Sequence, residues 1–216
     1  AAVVNTGMAN AATGKQGLAC CEREAARAGE LLGLPREAVL VASTGVIGMQ
    51  LPEDRILKGI ELLAAAKSES REAGLDAAEA IMTTDTHQKQ IAVELEIGGK
   101  KVTLGGMCKG SGMIHPNMCT MLAFLTTDIK ISKGMLQQAL GRDIEDTFNM
   151  ISVDGDTSTN DTLIIMANGL ADNEEISGEG DDYEKFCEAL RYVNTYLARQ
   201  MAGDGEGATA LVEAKV

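Results

Sequence analysis

The chain has 216 residues, 45% of them hydrophobic, which is enough to bury a substantial core in one or two domains. A formal net charge of -13 argues against nucleic acid or an anionic membrane as a partner, and no apolar run approaches the roughly 18 residues that span a bilayer. The five cysteines are odd in number and lack CxxC spacing, so we expect a cytoplasmic protein without a disulfide framework or a structural zinc site.

The first part of the chain is predicted to be a helix followed by a strand. Apolar residues at helical spacing predict a helix over residues 13–32, and Gly33 is a typical residue just beyond a helix end. The short apolar run at 39–42 indicates a buried strand, which leads into the turn-like sequence Ser43-Thr44-Gly45-Val46-Ile47-Gly48. A polar motif therefore follows the end of a strand.

From residue 84 onward an alternating pattern becomes visible. Apolar and polar residues alternate over 91–97, Gly98-Gly99 makes a turn, and the alternation returns at 102–104, which predicts a β-hairpin. The remaining predictions are helices at 52–68, 76–82, 134–140, 143–149 and 181–201, strands at 121–131, 162–167 and 209–216, a polar loop at 154–161 and a mobile surface loop at 173–182. Strands and helices in mixed order, without strict alternation, favour a layered α+β fold.

The stretch Gly-Gly-Met-Cys-Lys-Gly-Ser-Gly-Met-Ile-His-Pro-Asn-Met-Cys-Thr at 105–120 is unusual for a structural segment. Its glycines allow a close backbone approach or a strained turn. A phosphate-binding loop would need a Gly, then four residues of any type, then Gly-Lys-Ser or Gly-Lys-Thr, and that order is not met. A metal site from His87, His115 and Cys108 has no support from spacing. We therefore expect neither a nucleotide nor a metal here.

Residues 109–122, which overlap this stretch and continue beyond it, resemble the autocleavage signature of the glutamate N-acetyltransferase family, also called ornithine acetyltransferase. Four further segments resemble family motifs and occur in the family's order, so the resemblance covers nearly the whole chain. They are an Asn-rich motif at 5–14, an oxyanion motif at 43–48, a substrate loop at 83–86 and a second-subunit motif at 204–209. The resemblance implies the layered sheet-and-helix α+β fold of this family, which is similar to that of amino-terminal-nucleophile enzymes, and no cofactor.

The resemblance also implies a mechanism that begins with self-cleavage between Cys119 and Thr120. The cut would give residues 1–119, the C-terminal part of an α-chain, and residues 120–216, the N-terminal part of a β-chain. It would also free an α-amine, whose pKa of about 7.7 to 8.0 suits it as the base for the Thr hydroxyl. Thr120 would take the acetyl group of N-acetylornithine as an ester and pass it to glutamate.

Five further roles follow from the same resemblance. The hydroxyl of Thr44 and the backbone N–H of Gly45 would stabilise the oxyanion of the tetrahedral intermediate. Lys109 and Thr86 would contact the substrate, with Lys109 suited to an α-carboxylate, and Glu206 would face an ammonium group. The implied partners are N-acetylornithine, glutamate and, as a second donor left open, acetyl-CoA. The α- and β-chains are expected to form a heterotetramer.

Each of these residues also has a structural interpretation when it is taken alone. Thr120 is a strand former at the start of a strand, and Thr44-Gly45 fits an ordinary turn. Lys109 fits a solvated side chain, and Glu206 fits a flexible glycine-rich loop. The joint occurrence in family order favours the functional interpretation.

The sequence departs from the family pattern at three positions. Cys119 stands where the family usually has Ala, and Met8 and Ala12 replace an Asn and a Cys. The chain lacks an initiator Met, and we expect it to be a piece of a longer product. Two other functions stay open: an amidase of the amino-terminal-nucleophile type, in which water replaces glutamate, and a truncated non-catalytic homologue.

Overall fold

The computed structural model of the protein describes residues 1–114 and 121–215. Its contacts divide the chain into two compact units, Ala1–Thr83 and Thr84–Val216. Helices and sheets are mixed, so the predicted α+β class is confirmed. These units are defined by contacts between residues and are distinct from the fragments that the predicted cut would produce. That cut, between residues 119 and 120, lies outside the described residues and stays a prediction.

The first unit contains a parallel strand-helix-strand arrangement. Strand β1 (Ala2–Asn5) and strand β2 (Leu40–Ser43) pair in parallel from Ala2↔Leu40 to Asn5↔Ser43, and helix α1 (Gly14–Leu32) connects them. Helix α1 ends as predicted because Gly33 adopts a left-handed conformation with φ 68°. Helix α1 and strand β2 match the predictions within one residue, whereas β1 was not predicted.

Two more helices complete the first unit. Helix α2 (Glu53–Ala66) packs against α1, close to its predicted bounds. Helix α3 (Arg71–Ala80) begins earlier than predicted, because the Ser70 hydroxyl caps it by accepting a hydrogen bond from Ala73 N–H at 3.1 Å. Asp76, the predicted start, lies inside this helix. The small apolar core is formed by Ala25, Ala28, Val39 and Ile60.

The second unit is built on a four-stranded sheet in the order β3-β4-β5-β6. Strand β3 (Lys89–Ile97), strand β4 (Lys100–Lys109) and strand β5 (Leu122–Thr127) are antiparallel neighbours, and β6 (Thr162–Ala167) pairs with β5 in parallel. The predicted hairpin is confirmed, with positive φ at both turn glycines. Strand β5 is shorter than predicted because the chain turns after Thr127, whose hydroxyl accepts the N–H of Ile129 at 3.2 Å.

One face of this sheet is covered by helix α5 (Asp181–Gly203), close to its predicted bounds. Its apolar side is fully buried through Phe186, Leu190, Val193 and Leu197. Helix α4 (Lys133–Ile144) packs against α5. The two helices predicted at 134–140 and 143–149 are instead one helix followed by a short 3-10 turn. The helix is capped at its start by Ser132, and it continues through Gly141 without interruption.

Two further predictions are corrected. Residues 209–215 form no strand, because they pair with none of the strands in the part of the chain that the structure describes. The predicted mobile loop at 173–182 is anchored at its start, where buried Asn173 accepts the N–H of Lys130 at 2.8 Å and Ile176 forms a bridge to Ile131. No helix among the described residues is long and apolar enough to cross a membrane.

Candidate active site

The predicted oxyanion motif lies at the carboxyl ends of the two parallel strands of the first unit. Because Asn5 pairs with Ser43, the segments that follow β1 and β2 run side by side. Thr44 N–H donates to Asn5 O at 3.1 Å, and Val46 N–H donates to Gly7 O at 3.1 Å. The motifs at 5–14 and 43–48 are therefore joined by backbone hydrogen bonds. The carboxyl ends of parallel strands are a common place for ligand sites.

Thr44 and Gly45 offer two adjacent hydrogen-bond donors. The Thr44 side chain is 1% exposed, and its hydroxyl has no hydrogen-bond partner among the described residues. The structure likewise records no acceptor for the N–H of Gly45 among residues 1–114 and 121–215. Gly45 has φ 127°, and a Cβ there would lie 2.3 Å from Gly7 C, so only glycine fits. Two such donors suit a developing oxyanion.

Lys109 ends strand β4 in the second unit and is buried, with 2% exposure, so the solvated interpretation is wrong. Burial lowers the pKa of Lys109, partly against the attraction of the Asp85 and Glu206 carboxylates. The structure records no direct hydrogen bond or ion pair of its ammonium group within the described ranges. A buried cation in this state is suited to bind an anionic group of a ligand.

Glu206 lies against the turn that follows Lys109. Its N–H donates to Ser111 O at 2.7 Å, and a Cβ on Gly112 would lie 2.6 Å from the carboxylate carbon of Glu206. Gly112 therefore makes room for this carboxylate. The structure brings together Lys109 and Glu206, two residues that are far apart in sequence, and the loop that carries Glu206 is anchored.

A buried ionic network holds these parts of the second unit in place. Lys89 Nζ donates to Asp85 Oδ1 at 2.6 Å and to Asp204 Oδ2 at 2.5 Å, and all three side chains are almost fully buried. Asp85 Oδ1 also accepts the N–H of Gly110 at 2.7 Å. Asp204 accepts the N–H of Thr86 at 2.9 Å and the Thr86 hydroxyl. The network thus joins the predicted substrate loop to the turn that follows Lys109 and to the turn that carries Glu206.

The sequence analysis placed Asp85 and Asp204 within family motifs but gave neither of them a role, and it missed Lys89. Lys89 opens a strand and Asp204 precedes a glycine-rich loop, and both positions are typical of solvated charges. One available signal was the spacing of Asp85 and Lys89 beside the substrate loop. Thr86, by contrast, was predicted to contact substrate; its hydroxyl donates to Asp204, and the substrate contact stays a prediction.

Residues 115–120, which include the predicted nucleophile Thr120 and its neighbour Cys119, lie outside the described residues, as does His115. Both described flanks are held by the polar loop at 154–161. On one side Asp154 accepts the N–H groups of Met113 at 2.5 Å and Ile114 at 2.8 Å. At this end the predicted polar loop therefore holds the backbone of residues 113 and 114 in place.

Asp161 holds the other flank by accepting the N–H of Met121 at 3.0 Å. The second carboxylate oxygen of Asp161 is buried and has no hydrogen-bond partner among the described residues. Burial raises the pKa of Asp161 to about 7, although the Met121 N–H and the charge of Lys109 act to lower it. Asp161 was not predicted as a site residue.

A cavity of about 570 Å³ is lined by α5, by the segment that follows α5 and by residues within 146–153. Among the predicted site residues that the structure describes, only Glu206 lines it. The cavity therefore does not define the candidate site, whose residues are described separately within each unit. No three His, Cys, Asp or Glu side chains in residues 1–114 and 121–215 are placed to hold a metal ion.

Comparison with known proteins identifies the family to which the chain is similar. The model of the ArgJ family matches residues 1–216. The arginine biosynthesis bifunctional protein ArgJ of Caldanaerobacter subterraneus subsp. tengcongensis is 52% identical over 100% of this chain and 53% of its own length. The protein of the same name from Symbiobacterium thermophilum is 54% identical, with the same coverage of both chains. The chain thus spans about half the length of these curated relatives.

A solved structure supports the fold. The crystal structure of arginine biosynthesis bifunctional protein argJ from Bacillus halodurans has a TM-score of 0.50 and 44% sequence identity to this chain. The match covers 56% of this chain and 61% of that one. The α+β fold implied by the family resemblance is therefore confirmed.

Proposed function

The chain belongs to the ArgJ family, and from this premise we propose that it forms part of an acetyltransferase of arginine biosynthesis with Thr120 as its nucleophile. The enzyme would move an acetyl group from N-acetylornithine to glutamate. An ester on Thr120 would carry the acetyl group between the two amino acids. Self-cleavage between Cys119 and Thr120 would come first.

The proposed chemistry has two matched halves. The Thr120 hydroxyl attacks the acetyl carbonyl carbon and gives its proton to the α-amine of the same residue. The tetrahedral intermediate then breaks the bond to the ornithine amine, which leaves with that proton. In the second half the amine of glutamate attacks the ester carbonyl carbon and gives a proton to the α-amine, and the Thr120 oxygen then leaves and recovers that proton from the resulting α-ammonium.

The single observation that carries this proposal is the buried Thr44 hydroxyl without a partner among the described residues. Leaving a buried hydroxyl unpaired costs about 1 to 3 kcal/mol, so such a group calls for an explanation. An oxyanion that forms only during the reaction supplies one. Gly45 beside it adds a backbone donor that no other residue type would allow at this close approach.

The second unit supports binding of an amino-acid substrate. Buried Lys109 would pair with the α-carboxylate and Glu206 with the ammonium group, because Glu206 lies against the turn that directly follows Lys109. Thr86 would contact the same substrate through the loop fixed by Asp204. These roles rest on the family resemblance together with the contacts of each residue.

Self-cleavage is tested by mass spectrometry of the purified protein. We expect a fragment that ends at Cys119 and another that begins at Thr120. Thr120→Ala should remain one inactive chain, because it has no hydroxyl to start the acyl shift, whereas Thr120→Ser should still be cleaved. An uncut wild-type chain with full transferase activity would contradict the proposal.

Acetyl transfer is tested with protein extended to the length of its relatives, since this chain spans about half of them. Formation of N-acetylglutamate from N-acetylornithine supports the transferase. Release of free acetate instead would indicate an amidase, and ornithine binding without turnover would indicate a non-catalytic homologue. Replacing N-acetylornithine by acetyl-CoA tests the second donor. We further propose a heterotetramer of α- and β-chains in the cytoplasm, which native mass spectrometry and fractionation test.

A further inference from the structure

The buried carboxylate of Asp204 holds both the backbone and the side chain of Thr86, an exposed residue of the predicted substrate loop. Asp204 Oδ1 accepts the Thr86 hydroxyl, and Asp204 Oδ2 accepts the Thr86 N–H at 2.9 Å. Lys89 Nζ also donates to Oδ2, at 2.5 Å. The two oxygens of this carboxylate therefore have different partners: Oδ1 receives a hydroxyl, and Oδ2 receives two N–H groups.

The direction of the hydrogen bond between Thr86 and Asp204 follows from the charge of the carboxylate. Burial acts to raise the pKa of Asp204, but hydrogen bonds from Lys89 and Thr86 outweigh it and lower that pKa. The carboxylate is therefore ionised near neutral pH, and an ionised carboxylate accepts hydrogen bonds without donating any. The single hydrogen of the Thr86 hydroxyl consequently points at Asp204.

The Thr86 oxygen is left with two lone pairs and no hydrogen to give. His87 Nδ1 lies 3.1 Å from this oxygen and can only act as a donor to it, because the Thr86 hydrogen is already used. No further partner of this oxygen is recorded within residues 1–114 and 121–215. One lone pair is thus open to a ligand, and Thr86 meets that ligand as an acceptor.

The loop that carries Thr86 lies close to the turn that carries Glu206. Thr84 Oγ1 is 2.7 Å from Ser111 Oγ, and the N–H of Glu206 donates to Ser111 O at 2.7 Å. Glu206 also follows Asp204 by only two residues. The Thr86 oxygen and the Glu206 carboxylate are therefore two acceptors of one part of the second unit, which suits the N–H groups of an amino acid.

We propose that Asp204 fixes Thr86 as a hydrogen-bond acceptor and thereby selects a substrate that brings an N–H donor to this loop. The donor is a nitrogen of the bound amino acid, either the α-nitrogen or the side-chain nitrogen of ornithine. This inference rests on the proposed function and adds to it a residue that determines specificity. Asp204 acts through Thr86, so it is a positioning residue.

Asp204→Asn should reverse the Thr86 hydroxyl. The amide has one oxygen, and only that oxygen can accept from both Lys89 Nζ and the Thr86 N–H. The NH₂ group then faces the Thr86 hydroxyl and donates to it, so the hydroxyl hydrogen turns toward the ligand and opposes its N–H. We expect the Kd of ornithine to rise by about 10- to 100-fold, measured by calorimetry on protein extended to the length of its relatives. Asp172→Asn, which removes the charge of an exposed carboxylate, should leave this Kd unchanged.

A double substitution separates this role from a merely structural one. If Asp204 only held the backbone of the loop, Asp204→Asn would weaken ornithine binding whether or not residue 86 carries a hydroxyl. Under the inference, Thr86→Val already removes the acceptor, so adding Asp204→Asn should change the Kd by less than about twofold. Effects of the two substitutions that multiply would overturn the inference.

Two smaller ligands identify the nitrogen and require no Asp204 variant. Norvaline lacks the side-chain nitrogen of ornithine, and 5-aminopentanoate lacks the α-nitrogen. Thr86→Val should weaken ornithine binding and leave unchanged the Kd of the ligand that lacks the contacted nitrogen. Equal weakening of all three ligands, or no effect on ornithine, would overturn the inference while acetyl transfer by the wild-type protein upholds the proposed function. A wild-type protein that neither binds ornithine nor transfers acetyl groups would overturn both.

Discussion

At the scale of single residues, Thr44 and Thr147 are two buried threonines in opposite states. The Thr147 hydroxyl donates to Asp143 O at 2.9 Å, whereas the Thr44 hydroxyl has no partner among the described residues. An unpaired buried hydroxyl stabilises nothing in the resting protein, because it has lost water and gained no bond. The Thr44 hydroxyl must therefore form its hydrogen bond in a state of the protein other than the resting one.

Thr44→Val should consequently separate activity from stability. Valine has nearly the same shape, so we expect the free energy of unfolding to stay the same or rise by up to about 1 kcal/mol. Acetyl transfer should fall by about 100- to 1,000-fold, since one oxyanion donor is lost. Thermal or denaturant unfolding and the transfer assay measure the two effects.

Thr147→Val is the matched control, because it removes a hydroxyl that is paired. It should lower the free energy of unfolding by about 1 kcal/mol and leave the rate per folded molecule unchanged. If Thr44→Val destabilised the protein in the same way and kept full activity, the oxyanion role of Thr44 would be wrong.

Much of the candidate site could be predicted from residue identities, but its electrostatic state could not. Thr44, Gly45, Lys109 and Glu206 were identified from motifs in family order. That Lys109 is buried depends on tertiary packing around β4, which no local pattern reports. The sequence analysis also missed residues whose contacts join chain segments far apart in sequence. Asp161, which accepts the N–H of Met121, is an example.

At the scale of secondary structure elements, Lys89 joins the start of β3 to the end of α5. Its ammonium group lies between the carboxylates of Asp85 and Asp204, and none of the three side chains is more than 4% exposed. Burial acts to raise the pKa of Asp204, but hydrogen bonds from Lys89 and Thr86 outweigh it and lower that pKa. The network is therefore stable only when the cation and both carboxylates are present.

Lys89→Met should remove the cation and leave two buried carboxylates facing each other. We expect a loss of about 3 to 5 kcal/mol in the free energy of unfolding, measured by denaturant titration at pH 7. Lys101→Met is the control, because Lys101 pairs with Glu94 on the exposed side of the hairpin and should cost less than about 1 kcal/mol. Equal effects of the two substitutions would contradict the structural role of Lys89.

The elements that the sequence predicted well are those whose signals are local. The Gly98-Gly99 turn and the alternation around it define the hairpin, and Gly33 defines the end of α1. The predicted strand at 209–216 failed because a strand exists only with a ladder partner. Strand β1 was missed for the same reason, since four residues show too little periodicity and are stabilised by pairing with β2.

At the scale of the whole molecule, the compact units and the proposed covalent fragments divide the chain at different places. The boundary between units is at Thr83 and Thr84, whereas the cut would fall inside the second unit, between β4 and β5. Among the predicted site residues, Thr44 and Gly45 belong to the first unit, and Lys109 and Glu206 belong to the second. The second unit would thus consist of two polypeptides after cleavage.

Those two polypeptides should remain one folded particle, because the cut would leave the sheet between them intact. Strand β4 from the first fragment pairs with β5 from the second from Leu104↔Thr127 to Lys109↔Leu122. Helix α5 of the second fragment buries Phe186, Leu190 and Leu197 in the same core as Leu104 of the first. Separating the fragments would expose both the open strand edges and this apolar surface to water, which is strongly unfavourable.

We therefore expect cleaved wild-type protein to elute as one species in size-exclusion chromatography, at the volume of uncut Thr120→Ala. The two fragments should separate under denaturing conditions alone. Leu104→Asp, which places a charge in the shared core, should weaken their association, while Glu96→Asp on the exposed side of β3 should not. Fragments that came apart in native buffer would show that β4 and β5 stay paired only while the chain between them is intact. That result would contradict a stable two-chain enzyme.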